Sequence, residues 1–237
     1  MKVSKKTFHL ILKKEVLIKS TAVQELNVTR TRRSVTDDGM ICLTSLTALS
    51  SLSIPFFNPP LGFRVMTHLP HLQELHVEMD NLLAGHDAAL LVRIPTLRCL
   101  EISCLSISTD AVTCLASCSA LTRLKLKAHI SRAVTDAELA PLLFATQLHA
   151  LELVSADVSD LVIRGMTALT RLTALSLYCC QFVTTEAITT LTALPTLRFV
   201  DVRKCSMMNY DVLESLVSSH GLVFSGMGMR ENEMTWW

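Results

Sequence analysis

Residues 172–205 read LTALSLYCCQFVTTEAITTLTALPTLRFVDVRKC, and this stretch states one pattern twice. Leu172, Leu175 and Leu177 are spaced as L-x-x-L-x-L, with Cys180 three residues further on. Twenty-five residues later Leu197, Val200 and Val202 repeat the spacing, and Cys205 stands where Cys180 stood. The TTEAITTLTAL between them has the apolar spacing of a short helix. A self-similar unit of this length is the mark of a solenoid, in which each copy is stable only because it stacks on the next.

Outward from this stretch the same core pair falls at Leu26/Val28, Leu52/Ile54, Leu75/Val77, Leu100/Ile102, Leu124/Leu126, Leu151/Leu153, Leu175/Leu177 and Val200/Val202, with a weaker ninth instance at Leu222/Phe224. The steps are 26, 23, 25, 24, 27, 24, 25 and 22 residues, too regular for accident. An L-x-L pair puts two side chains on one face of a short strand, because strand side chains alternate. Copies of such a strand pair side by side as a parallel sheet, and parallel neighbours require a crossover. The intervening segments supply it. Ser108-Thr109-Asp110, Val134-Thr135-Asp136, Ser159-Asp160, Thr184-Thr185-Glu186 and Asn209-Tyr210-Asp211 each offer a helix cap and a first-turn acid, followed by apolar residues at helical spacing. Helices are bulkier than strands, so the stack bends into an arc with strands on the concave side.

The expected fold is therefore one α/β solenoid of eight or nine repeats over residues 23–224. Residues 1–22 form a basic N-terminal segment expected to cap the first repeat, and residues 225–237 a C-terminal cap or a tail presenting Trp236 and Trp237. Between Pro55 and Thr67, Pro55, Pro59 and Pro60 remove backbone donors, and an irregular bulge is expected there in place of a full helix.

These units resemble the leucine-rich repeat family, and within it the cysteine-containing subtype. Val35-Thr36-Asp37-Asp38-Gly39-Met40 matches that subtype's helix opening, and Cys118-Ser119-Ala120-Leu121 its lead into the next strand. The position of Cys180 and Cys205 is held earlier by Thr31, Phe57, Asp80, Leu105, His129 and Ala156, so some loops are expected to be irregular. The resemblance implies non-catalytic protein recognition on the concave face. The subtype is similar to the substrate-binding part of ubiquitin-ligase receptors, although only 22 residues precede the first repeat, too few for an F-box.

Composition narrows the classes. Half of the 237 residues are apolar and the net charge is +1, which excludes a disordered or collagen-like chain. No run approaches 18 uncharged apolar residues. The eight cysteines include no C-x-x-C pair, and the start MKVSKK leads into no signal-peptide core, so a reducing, intracellular setting, cytoplasmic or nuclear, is expected. Residues 1–33 carry nine Lys and Arg against two Glu, a net of +7, leaving −6 for the remainder. That basic start keeps open a salt-dependent contact with RNA or an anionic membrane.

No catalytic motif is present. Gly226-Met227-Gly228 lacks the third glycine of a dinucleotide loop, Pro70 separates His68 from His71, and Cys114 and Cys118 have no second pair to complete a metal site. No cofactor or metal is expected. The repeat does map the exposed strand positions, since the residues flanking each core pair point away from it. Stacking then groups Glu74, Glu78 and Glu101 into an acidic zone, Arg123, Lys125 and Lys127 into a basic stripe, and Tyr178, Phe199 and Arg203 into an aromatic-basic zone. Cross-strand charge pairing on a solvated face accounts for some of these. The sharper reading is a monomer's binding surface for a protein partner, with Tyr178, Phe199 and Arg203 as anchors.

Overall fold

The computed structural model describes residues 22–29, 34–129 and 134–225; the segments expected to cap the two ends, 1–21 and 226–237, lie outside the described residues. Five core pairs, from Leu52/Ile54 to Leu151/Leu153, lie wholly within strands, and every other pair has one member in a strand. In chain order the strands are β1 (Glu25–Asn27), β2 (Ser51–Pro55), β3 (Glu74–Glu78), β4 (Leu82–Leu83), β5 (Cys99–Cys104), β6 (Ser106–Ile107), β7 (Arg123–Ala128), β8 (Ala150–Val154), β9 (Ala174–Ser176), β10 (Phe199–Asp201) and β11 (Val223–Ser225). Nine of them make one sheet in the order β1-β2-β3-β5-β7-β8-β9-β10-β11, every pair parallel, while β4 and β6 pair separately at its margin.

The register is the one the leucines require. Leu26, Leu52, Leu75, Leu100, Leu124, Leu151, Leu175, Val200 and Phe224 partner one another across successive strands. None is more than 2% exposed, so this column is the spine of the core. The ninth instance joins the sheet two residues out of the expected phase: Phe224, and not Leu222, stands opposite Val200, which restores a 24-residue step, while Leu222 is buried just before β11.

Helices close the crossovers: α1 (Asp37–Cys42), α2 (Pro59–Met66), α3 (Gly85–Leu91), α4 (Thr109–Ala116), α5 (Asp136–Leu139), α6 (Asp160–Gly165), α7 (Thr185–Thr190) and α8 (Tyr210–His220). The side chains of Thr36, Ser108, Thr135, Ser159, Thr184 and Asn209 each accept a backbone N–H of the first turn, as their positions in the sequence predict. The caps also bind between repeats. Ser159 donates its N–H to Asp136 Oδ1 at 2.7 Å, Thr184 donates to Asp160 Oδ1 at 2.9 Å, and Asn209 donates to Thr185 Oγ1 at 2.6 Å. A second ladder runs beside the strand entries. Thr96, Thr122, Thr173 and Thr196 donate hydroxyls to the carbonyls of Leu72, Arg98, His149 and Leu172 in the repeat before.

The proline-rich unit departs from expectation. Residues 59–66 form an eight-residue helix, with Pro59 and Pro60 in its first two positions. Those N–H groups have no intrahelical partner in any helix, so proline costs nothing there and its fixed φ suits the first turn. Phe57 and Phe63 then meet edge-on at 5.3 Å, and the Phe57 ring occupies the space where a side chain at Gly62 would stand.

The loops after the strands come in two kinds. In β5 and β7 the extended backbone continues to Cys104 and Ala128, whose side chains turn inward with the core. In three later repeats the chain turns sharply, with Ser155, Cys179 and Lys204 all near φ +60°. Cys180 and Cys205 follow two of these turns and donate their thiols inward, Cys205 to Leu177 O at 2.9 Å and Cys180 to Leu153 O at 3.7 Å. Burial pushes the Cys205 thiol up to about 11 and the Cys180 thiol higher still, so both are structural groups, uncharged near neutral pH.

Two substitutions test this architecture. Leu175→Ala leaves a cavity in the spine and is expected to cost about 2–5 kcal/mol in urea unfolding; a near-neutral result would mean that the register is wrong. Ser155→Gly relieves a left-handed turn that disfavours a Cβ by about 1–2 kcal/mol, and should leave stability equal or higher, whereas Ser155→Val should lower it.

Candidate functional site

The sheet face opposite the helices carries the flanking columns in the order read from the sequence. The middle column runs Asn27, Ser53, His76, Glu101, Lys125, Glu152, Ser176, Asp201 and Ser225. Beside it Ser51, Glu74, Cys99, Arg123, Ala150 and Ala174 form one row, and Pro55, Glu78, Ser103, Lys127 and Val154 the other.

The acidic zone and the basic stripe interlock. His76 Nδ1 lies 2.8 Å from Glu101 Oε2, and Lys125 Nζ lies between Glu101 Oε1 at 3.2 Å and Glu152 Oε1 at 3.4 Å. Arg123 reaches past Cys99, over an intervening strand, to Glu74 Oε1 at 3.1 Å. Glu78 faces His76 Nε2 at 3.8 Å. Arg123, Lys125 and Lys127 therefore do not act as one positive stripe; only exposed Lys127 has no ion pair among the described residues. Burial alone would raise the Glu101 carboxyl, but His76 and Lys125 outweigh it and its pKa is lowered. Glu152 goes the other way: burial raises it, and Lys125 beside it does not compensate. Burial opposes the charge on Lys125, yet the two flanking carboxylates win and its pKa is raised.

The aromatic-basic zone divides. Arg203 sits 5.5 Å from the Tyr178 ring centre and Lys204 Nζ 5.0 Å from it, so the ring contacts two cations. Arg203 is fixed from behind by a two-point bond to Asp201, at 3.0 and 2.9 Å, and Asp201 also accepts the Ser176 hydroxyl. Phe199 does not join this cluster. It opens β10, whereas Arg203 lies two residues beyond the end of that strand, at the opposite margin of the face.

Accessibility also divides the face. Ser176, Asp201 and Ser225 are 1%, 2% and 0% exposed, although they stand in the column that Asn27, Ser53, His76, Glu101 and Lys125 hold partly open to solvent. The open half, β1 to β7, contains a recess of about 240 Å³ lined by Ser51, Ser53, Glu74, Leu75, His76, Cys99, Glu101 and Arg123. Two small serines beside long side chains on the next strands create it. Ser53, His76 and Glu101 are cross-strand neighbours in the order of a nucleophile, base and acid. Yet His76 Nε2 faces Glu78, no hydrogen bond joins Ser53 to the ring among the described residues, and the strand amides are engaged in the sheet. The row does not assemble a proton relay. No group of three or more His, Cys, Asp or Glu among the described residues is placed to hold a metal.

His76 and Glu152 enter this network as the register neighbours of Glu101 and Lys125, the signal by which the sequence pattern places them there. Lys204 was missed because it reaches Tyr178 only through a left-handed turn that no residue type announces.

No protein-family model matches the sequence, and no curated protein matches it. Solved structures do. An internalin F from Listeria monocytogenes superposes with a TM-score of 0.59 at 17% identity, covering 91% of this chain and 64% of that one. An internalin C2 from the same organism gives 0.56 at 17% identity, covering 92% of this chain and 95% of that one. At this identity the likeness is one of fold. With the parallel sheet and its helical crossovers, it makes this chain a leucine-rich repeat solenoid; it spans about two thirds of the internalin F structure.

The charge network has a pH signature. Glu101, with its lowered pKa, contributes stability above the unfolded value and loses it as pH falls through the lowered one. Glu152, with its raised pKa, withdraws stability as pH rises through the unfolded value. Urea unfolding between about pH 4 and 8 should therefore show Glu101→Gln less stable than wild type at neutral pH, and Glu152→Gln equal or more stable. Identical profiles would mean that the two carboxylates do not share Lys125 in solution.

Proposed function

We propose that this chain is a non-catalytic scaffold that recognises a protein partner on the sheet face of its solenoid. The observation that carries the reading is the open half of that face. There, strands in strict register hold partly exposed Glu, His, Lys and Arg side chains around a recess, each fixed by a neighbour. Such pre-ordered polar groups lose little conformational freedom on binding, which favours specific association. The resemblance to leucine-rich repeat proteins supports the same role.

The contact set is Glu74, Glu78, Glu101, Arg123, Lys125 and Lys127 in the open half, with Tyr178, Phe199 and Arg203 at the margins of the closed half. The scaffold works in a reducing compartment, a reading supported by eight cysteines that are all unpaired. A pull-down from native cells, with partners identified by mass spectrometry, tests the face. Glu74→Lys with Glu101→Lys, and separately Tyr178→Ala with Phe199→Ala, should lose the partner while keeping the wild-type melting profile. Recovery unchanged by both pairs would remove the sheet-face assignment.

A second reading, the substrate-recognition part of a ubiquitin ligase, draws on the inward thiol bonds of Cys180 and Cys205, the feature shared with the cysteine-containing subtype. It requires cullin-adaptor components among the recovered proteins, and their consistent absence would sink it.

A further inference from the structure

We infer that the partner presents a basic segment to the open half of the sheet face, and that one of its Lys or Arg side chains enters the recess over Ser51 and Ser53. The inference rests on the sheet-face reading above and adds the chemistry of the occupant.

Two observations locate the contact. The middle column is closed to solvent in β9 to β11 and open in β1 to β7, so a partner's side chain can reach between the outward groups of the middle column only in the earlier repeats. Within that half the recess forms where small side chains make room between long ones. Ser51 and Ser53 on β2 lie beside Glu74 and His76 on β3, with Glu101 and Arg123 beyond.

Charge then selects the occupant. The positions of β1, β2, β3 and β5 on this face are Glu25, Asn27, Ser51, Ser53, Pro55, Glu74, His76, Glu78, Cys99, Glu101 and Ser103. Four are glutamates and none is lysine or arginine. Among the described residues, the cations that reach these four strands, Arg123 and Lys125, come from β7, and Arg123 extends across a whole strand to do so. Arg123 meets Glu74 through one nitrogen and one oxygen, on a carboxylate whose side chain is 52% exposed. That single bond leaves the second Glu74 oxygen for a guanidinium or ammonium coming from solvent. The Ser51 and Ser53 hydroxyls on the recess floor can accept further N–H groups. Arg123 thus holds the place that a partner's cation takes, and it competes with that cation for Glu74. The same surface repels an acidic segment and a phosphate backbone alike, since a nucleic acid requires a continuous basic track.

The test uses the full chain and two fluorescein-labelled peptides, alternating Gly-Arg and alternating Gly-Glu, followed by fluorescence anisotropy at low and moderate salt. The Gly-Arg peptide should bind and the Gly-Glu peptide should not, with binding weakened by salt. Glu74→Gln should weaken binding about fivefold. Ser53→Phe, which fills the recess without changing charge, should weaken it at least as much. Arg123→Met should strengthen binding, because it removes both a competitor and a positive charge. Circular dichroism melts confirm that each variant folds. Equal binding of the two peptides, indifference to Ser53→Phe, or loss of binding in Arg123→Met would each overturn the inference.

The native partner separates this inference from the reading beneath it. A partner lost with Glu74→Lys and Glu101→Lys but unaffected by Ser53→Phe and Arg123→Met overturns the basic segment and leaves the sheet face standing. A partner indifferent to every sheet-face variant overturns both.

Discussion

A strand of three to six residues in a parallel sheet has its own hydrogen-bonding groups to satisfy on both sides, and it cannot satisfy them alone. Everything regular in this molecule follows from that constraint. Each strand needs a copy of itself at the same height, so the sequence must return to the same pattern about every 24 residues, the length of strand plus crossover in a stacked repeat. Leu26 through Phe224 hold those copies in register by filling one column. A slip by one residue in any strand would place its leucines in solvent and its Glu or Ser in the core. The inter-repeat bonds of Asp136, Asp160 and the threonine hydroxyls fasten the same register at the helix starts and strand entries, where side chains can reach from one repeat to the next.

Because the register is fixed by apolar side chains, it was legible in the sequence for the first eight strands of the sheet, and with it their exposed columns; at the ninth, Leu222 and Phe224 are both apolar and the pattern picked the wrong one. What occupies those columns was legible too; which groups meet was not. Arg123 bonds Glu74 across an intervening strand because its side chain is long enough to pass the small Cys99 between them, a matter of reach that column order does not encode. The proline-rich unit was misread because the penalty for proline depends on position within a helix. Pro59 and Pro60 fall in the two places where the missing donor is harmless. The left-handed turns at Ser155, Cys179 and Lys204 were invisible for the opposite reason: none is glycine, and the conformation is imposed by the loop that brings Cys180 and Cys205 inward. The closure of Ser176, Asp201 and Ser225 was likewise beyond a pattern that places them beside open positions.

The two loop types and the two halves of the face are connected. Where the strands are long, in β5 and β7, the extended backbone gives the outward side chains three positions each, enough to lay Glu101 beside Arg123, Lys125 and Lys127. Where the strands have three residues, in β9 and β10, the outward positions are Ala174, Ser176, Phe199 and Asp201, and all but Phe199 are buried. The later repeats spend their polar groups on cohesion: Asp201 fixes Arg203, and Arg203 packs on Tyr178.

This division bears on selectivity. On the open half nearly every charge already has a partner within the chain, so a visiting group gains only the difference between its own bond and the one it replaces. For Glu101 that difference is small or unfavourable, since His76 and Lys125 both hold its carboxylate and lower its pKa. For Glu74 it is favourable, because a single bond from an arginine stretched over a strand is readily bettered by a cation that also finds hydroxyls below it. A surface built this way rejects partners that carry charge of the right sign in the wrong place, because displacing a well-held pair elsewhere on the face costs more than it returns. For the partner proposed above, specificity would arise from how unequally the carboxylates are held, which is a property of the register and of the reach of Arg123 more than of the number of charges.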